Sequence, residues 1–138
     1  MPRKSYFVIV TLLTTIVASA PLVAHHSFAA QFDRAKQTTL VGSVTKLDWI
    51  NPHARIFMDV KGADGKVANW EIELGAPAIL MRSGWTRAAI KVGETVTVNG
   101  SLAKDGSNLA NASSVTLADG KRVFAGSSGD APQRGANQ

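Results

Sequence analysis

The chain of 138 residues contains no cysteine. This absence excludes a disulfide framework, a thiolate metal site and a cysteine nucleophile. The glycine-rich phosphate loop, the serine nucleophile turn and the paired-histidine helix of zinc peptidases are missing as well. Because no residue set points to catalysis, the sequence predicts a protein that is not an enzyme.

Charge is scarce too, and charged residues make up 18% of the chain. The formal net charge is +5, and it falls to +3 if Arg3 and Lys4 are removed with an export signal. Basic residues are scattered among acidic ones, whereas a nucleic-acid interface needs a basic stripe. We therefore expect no nucleic-acid partner.

The long apolar run is confined to the N-terminus. Arg3 and Lys4 precede an apolar stretch over residues 6–17, which is short for a bilayer core of about 30 Å. Small residues follow, and we predict a signal peptide over residues 1–24 that is cleaved after Ala24. Cleavage after Ala20 is the competing site, although it leaves Pro21 directly after the cut. The other alternative is an uncleaved anchor, whereas cleavage leaves an exported protein without a transmembrane anchor.

Histidine occurs only three times, at His25, His26 and His53. Cleavage after Ala24 would give His25 a free α-amine beside its own imidazole and that of His26. The amine has a pKa near ~8 and imidazole one near ~6.5, so both can bind metal near neutral pH. Nitrogen ligands of this kind favour Cu(II). If the arm folds back, His53 could complete a three-histidine copper site; otherwise the terminal histidines are solvated and His53 packs in a turn.

Alternating apolar residues predict five strands. The first covers Thr38–Trp49, and its alternation slips between Val44 and Leu47, which indicates a bulge or bend. Residues 25–37 are predicted to form an N-terminal arm that packs on the domain through Phe28 and Phe32. Residues 38–125 form the domain, and residues 126–138 a disordered tail. The other predicted elements are a second strand with Ile56 inward, a third with Ile72 inward, a helix at Pro77–Arg82, and strands containing Val96 and Ala110.

Three strands, a short helix and two more strands follow the order of an OB-fold, a five-stranded barrel closed by a bent first strand. We expect an all-β, OB-fold-like barrel with its helix between strands 3 and 4. Another small β-sandwich or an open meander is the alternative.

Aromatic residues amount to 7% of the chain, and some could form a ligand surface on such a barrel. Trp49 and Trp85 flank turns and could be either surface or core, whereas the alternation places Trp70 inward. Glu71 and Glu73 share the outward face of the third strand, where solvated charges are expected.

Four segments resemble a family of small exported bacterial proteins that is catalogued only as a domain of unknown function. They are residues 25–33 (HHSFAAQFD), 49–54 (WINPHA), 84–86 (GWT) and 104–107 (KDGS). The resemblance implies a periplasmic protein of Gram-negative bacteria with a small β-barrel, and it implies no activity. Family members often carry an aromatic residue where this chain has Arg55, so a ligand surface at Trp49, Arg55 and Trp85 would differ in preference here. Such a surface would serve a small ligand or an envelope protein.

Overall fold

The computed structural model describes residues 28–126. The chain divides into two compact units, Met1–Ala30 and Gln31–Gln138. Residues 28–31 are helical. The predicted signal peptide, His25 and His26 lie outside the described residues, as does the predicted tail from residue 127 onward.

The described part is all-β apart from short helical segments. Its strands and its one complete helix, which follow in chain order, are β1 (Phe32–Asp48), β2 (Arg55–Lys61), β3 (Val67–Glu73), α1 (Pro77–Arg82), β4 (Thr95–Ala103), β5 (Leu109–Thr116) and β6 (Arg122–Phe124). The helix was predicted with the same bounds, and Pro77 suits its first turn because proline has no N–H to leave unpaired there.

β1 is longer than predicted and begins at Phe32. Phe32 pairs with Ala103 of β4, and the register then shifts before Gln37 pairs with Ser101. The Phe32 side chain is buried, and residues 32–37, which were predicted as part of the N-terminal arm, lie in β1. The helical residues 28–31 therefore end directly before Phe32.

The irregularity predicted in β1, a bulge or bend, is confirmed as a shift in register. The register between β1 and β2 shifts between Val44 and Lys46, where the apolar alternation slips. Before the shift, β1 pairs with both β4 and β2. After the shift, β1 pairs with β2 alone. One long strand thereby serves two neighbours.

The sheet closes on itself through five strands. Antiparallel pairs join β1 to β2, β2 to β3, β1 to β4 and β4 to β5, and β6 extends the sheet beyond β5. A parallel pairing between Glu71–Glu73 and Leu109–Asn111 then connects β3 to β5. The strand order is therefore a ring of five with one added edge strand.

Apolar side chains fill the interior of this ring. The largest fully buried ones come from five strands, α1 and the residue after β3: Val44, Ile56, Met58, Ile72, Leu74, Leu80, Val96, Val98 and Val115. Ile56 and Ile72, which alternation predicted to face inward, belong to this set. Burial of this set is the main stabilising contribution available to a domain without disulfides.

The antiparallel registers place the connections at two opposite ends of the ring. Residues 49–54, 74–94 and 117–121 connect strands at the end that carries α1, which we call the helical end. Residues 62–66 and 104–108 form turns at the other end, the hairpin end. These two ends differ in charge and in exposed apolar surface, as described below.

Candidate functional site

His53 lies at the helical end, in the connection between β1 and β2. Its imidazole is half-buried, and Nδ1 lies 3.1 Å from the carbonyl oxygen of Leu74. The neighbouring Ala54 exchanges backbone hydrogen bonds with the same segment, donating to Gly75 O (3.1 Å) and accepting from Leu74 N (2.8 Å). The backbone therefore holds the His53 ring in a defined position.

The contact with Leu74 fixes the chemistry of the His53 ring. A carbonyl oxygen can only accept a hydrogen bond, so Nδ1 of a neutral ring carries the proton. Nε2 then keeps its lone pair. A histidine whose N–H is bound to a carbonyl, with the other nitrogen free, has the arrangement common among metal-binding histidines.

Metal coordination by the described residues alone is not supported. Within residues 28–126 no group of three or more His, Asp or Glu side chains is arranged to hold a metal ion. A metal site at His53 would need ligands from elsewhere, and His25 and His26 lie outside the described residues.

Trp49 and Trp85 come together at the helical end. Their ring centroids are 6.3 Å apart with an interplanar angle of 37°, which is within the range of favourable aromatic pairs. Trp85 is 3% exposed, and its Nε1–H donates to Phe124 O at 2.7 Å. Trp85 thus packs in the core, and Trp49, half-buried, covers it from the solvent side.

Arg55 belongs to a separate polar face on the outside of β2 and β3. Its Nε lies 2.8 Å from Glu71 Oε1, and each side chain is 39% exposed. This Nε is itself buried and makes no hydrogen bond among the described residues, so the contact is an ion pair without an aligned N–H. Because both side chains remain partly exposed, the pair contributes at most about 1 kcal/mol to stability.

The second carboxylate on this face also has a partner. Glu73 Oε1 accepts a hydrogen bond of 3.0 Å from Asn111 Nδ2, across the β3–β5 pairing. Alternation alone placed Arg55, Glu71 and Glu73 outward, and this could have indicated the ion pair. It could not have indicated Asn111, which comes from a strand that is distant in the sequence.

The resemblance noted in the sequence is confirmed by a family model. The model described as Family of unknown function (DUF6152) matches residues 13–112. The chain belongs to this family. No curated protein and no solved structure matches the chain.

The match to DUF6152 includes all three histidines, Trp49, Arg55 and Trp85. It also begins inside the apolar stretch of the predicted signal peptide. Among the described residues of this DUF6152 member, no helix is long and apolar enough to cross a membrane.

The clearest electrostatic effect in the described domain lies away from these residues, at the hairpin end. Asp105 accepts hydrogen bonds from the Ser107 hydroxyl (2.6 Å) and the Ser107 backbone N–H (2.9 Å). These bonds favour the ionised carboxylate and lower the pKa of Asp105. They order the β4–β5 turn and provide no reacting group.

Proposed function

We propose that this protein is an exported, non-enzymatic protein of the periplasm that binds a transition metal, with copper favoured. His25 and His26 are the proposed ligands, at the N-terminus created by cleavage after Ala24. The single observation that carries the proposal is the position of this histidine pair directly after the predicted cleavage site. The free Nε2 of His53 supports a role for the third histidine as well.

The proposed chemistry depends on the α-amine of His25. Amine and imidazole nitrogens are strong ligands for Cu(II), and protons compete for both groups. Affinity is therefore expected to rise with pH through the range of about 6 to 8, where the two kinds of group lose their protons. A site built from carboxylates would not show this dependence.

The first test alters the N-terminus without changing either histidine. One glycine added before His25 moves the α-amine away from the imidazoles, and we expect the affinity of the mature protein for Cu(II) to fall at least about tenfold, or 1.4 kcal/mol. Isothermal titration with Cu(II), after intact-mass measurement of the mature N-terminus, provides the reading. Unchanged affinity in the extended protein would exclude the N-terminal mechanism.

Matched variants separate the ligands. His53→Gln leaves the N-terminus intact and measures what the third histidine contributes, whereas His25→Ala with His26→Ala removes the proposed pair. We expect the double variant to lose submicromolar binding. A double variant that binds as tightly as the wild type would contradict the proposal even if His53→Gln weakened binding.

A second candidate function is a cell-envelope module that binds a small ligand or a protein through its aromatic and polar surface. The observation that favours it is the pair of half-buried side chains Trp49 and Arg55, which remain partly accessible at and beside the helical end. Trp85 contributes to this surface through its contact with Trp49, since its own ring is 3% exposed.

A photo-crosslinking residue can test the module. Placed at Arg55, it is expected to give a covalent adduct in living cells, whereas placement at Asp64 in the hairpin end gives none. Detection by gel shift and mass spectrometry identifies the adduct. Equal labelling from both positions, or none from Arg55, would count against a binding surface here.

We also propose that the five-stranded ring is an OB-fold barrel. The bent β1 shared by β2 and β4, the β3–β5 pairing and the helix between β3 and β4 support this assignment. An experimental structure in which β3 and β5 are not paired would contradict it.

A further inference from the structure

Exposed apolar side chains are concentrated at the helical end. Among the described residues, five large apolar side chains are strongly exposed, and three lie here: Ile50 (55%), Met81 (55%) and Val92 (69%). Ile50 is in the β1–β2 connection, Met81 is in α1, and Val92 is in the turn before β4. Packing in the core does not explain why these residues are apolar, because each side chain protrudes from a connection that is otherwise packed.

Positive charge accompanies them. Residues 74–93 contain no aspartate or glutamate, whereas Arg82, Arg87 and Lys91 are all exposed. No ion pair within the described residues involves these three cations. The hairpin end is balanced by comparison, because its turns carry Lys66 and Lys104 alongside Asp64 and Asp105.

The two acidic side chains in the connections of the helical end are held in turns. Glu94 Oε2 accepts the backbone N–H of Lys91 at 3.0 Å, and Asp119 Oδ1 accepts the backbone N–H of Lys121 at 2.8 Å. Both carboxylates therefore order backbone, and neither pairs with Arg82 or Arg87.

The buried residues of this segment place its cations and its exposed apolar side chains on the same, solvent-facing side. Leu80, Trp85 and Ile90 are 0%, 3% and 4% exposed and fix the connection to the core. Five exposed residues lie between or beside these buried residues in the chain: Met81, Arg82, Arg87, Lys91 and Val92. They consequently occupy the solvent side of the segment that covers the end of the ring.

We propose that the helical end docks on the surface of a membrane that contains anionic phospholipid. Cations attract the phosphate layer, and short apolar side chains beside them can enter the headgroup boundary, as in other interfacial elements. An acidic protein would use the same cations but would not need the protruding Ile50, Met81 and Val92. This inference is independent of the proposed metal site, whose histidines it does not use.

The experiment is co-sedimentation of the mature protein with vesicles of phosphatidylcholine, with and without phosphatidylglycerol, at about 0.1 M salt. We expect binding to the anionic vesicles only, and weaker binding at higher salt because the interaction is screened. Each cation is expected to strengthen binding about fivefold, so replacement of Arg82, Arg87 and Lys91 by glutamine together should weaken binding about 100-fold.

Matched controls come from outside the helical end. Lys36→Gln, Lys61→Gln and Lys66→Gln together remove the same charge from exposed residues elsewhere and should leave most of the binding intact. Met81→Ser with Val92→Ser should weaken binding, whereas Val67→Ser, which alters a side chain that is 62% exposed, should not. All these variants share one N-terminus, so the residues before Phe28 contribute equally to each measurement.

Three results would overturn the proposal. The first is an absence of binding to anionic vesicles, and the second is an equal loss in the two triple variants. The third is full binding by the Met81→Ser, Val92→Ser protein together with equal affinity for soluble polyglutamate. That outcome would identify the surface as one for an acidic polypeptide.

Discussion

Trp85→Ala is expected to lower the unfolding temperature of the domain by about 12–40 °C. Removal of a buried tryptophan costs about 3–5 kcal/mol, and each kcal/mol corresponds to about 4–8 °C in a domain of this size. The loss has two sources in this protein. The ring fills space beside Trp49, and Nε1 satisfies the carbonyl oxygen of Phe124.

Three further variants, Trp85→Phe, Trp49→Ala and Trp49→Ala with Trp85→Ala, separate these sources. Trp85→Phe keeps much of the ring but removes the donor to Phe124, so its cost should be about 1–3 kcal/mol. A double-mutant cycle with Trp49→Ala should give a coupling of about 0.5–1.5 kcal/mol for the ring pair. Thermal unfolding of the wild type and each variant, followed by circular dichroism, provides these free-energy differences. If Trp85→Ala unfolds within a few degrees of the wild type, Trp85 does not pack in the core as described.

Gly100→Val should destabilise the fold by about 3 kcal/mol, at the upper end of the usual cost of overpacking. Gly100 lies in β4 where the register with β5 shifts. A Cβ atom at this position would collide with the backbone oxygen of Asn111 and would lie 2.9 Å from Ala112 Cα. Because these atoms belong to backbone, the two strands would have to move apart.

Gly62→Val is the matched control for this prediction. A Cβ at Gly62 approaches Asp64 Oδ1 at 2.9 Å, but that atom ends an exposed side chain, which can turn away with loss of one exposed hydrogen bond from Lys66 N (3.0 Å). Its effect should stay within about 1 kcal/mol, partly because loss of glycine restricts the unfolded chain. Urea unfolding of both variants decides the matter. Equal destabilisation would show that close packing of β4 on β5 is not the reason for glycine at position 100.

The sequence predicted the features of the fold that depend on neighbouring residues in the chain. The slip between Val44 and Leu47 indicated the bend in β1, and Pro77 with the following residues indicated α1. The start of β1 was placed too late because Phe32 joins the strand through Ala103, seventy-one residues further along the chain. No pattern around Phe32 records that pairing.

For the site residues too, the sequence could not predict positions that depend on contacts with distant parts of the chain. The sequence left Trp85 open between surface and core, and its burial depends on α1 and on the carbonyl of Phe124. The ordering of His53 likewise depends on Leu74, which a reading of the Asn-Pro-His segment could not supply. The proposed copper ligands His25 and His26 remain a sequence prediction, since they lie outside the described residues.

The pairing of β3 with β5 determines when the ring can be completed as the chain is synthesised. β1, β2 and β3 can associate once residue 73 exists, but the partner of Glu71–Glu73 ends at Asn111. At about 5–20 residues per second, synthesis takes a few seconds to supply it. During that interval the edge of β3 is open to foreign strands, and the carboxylates of Glu71 and Glu73 make such pairing less favourable. The charge of these two residues therefore matters most while the edge of β3 is still unpaired.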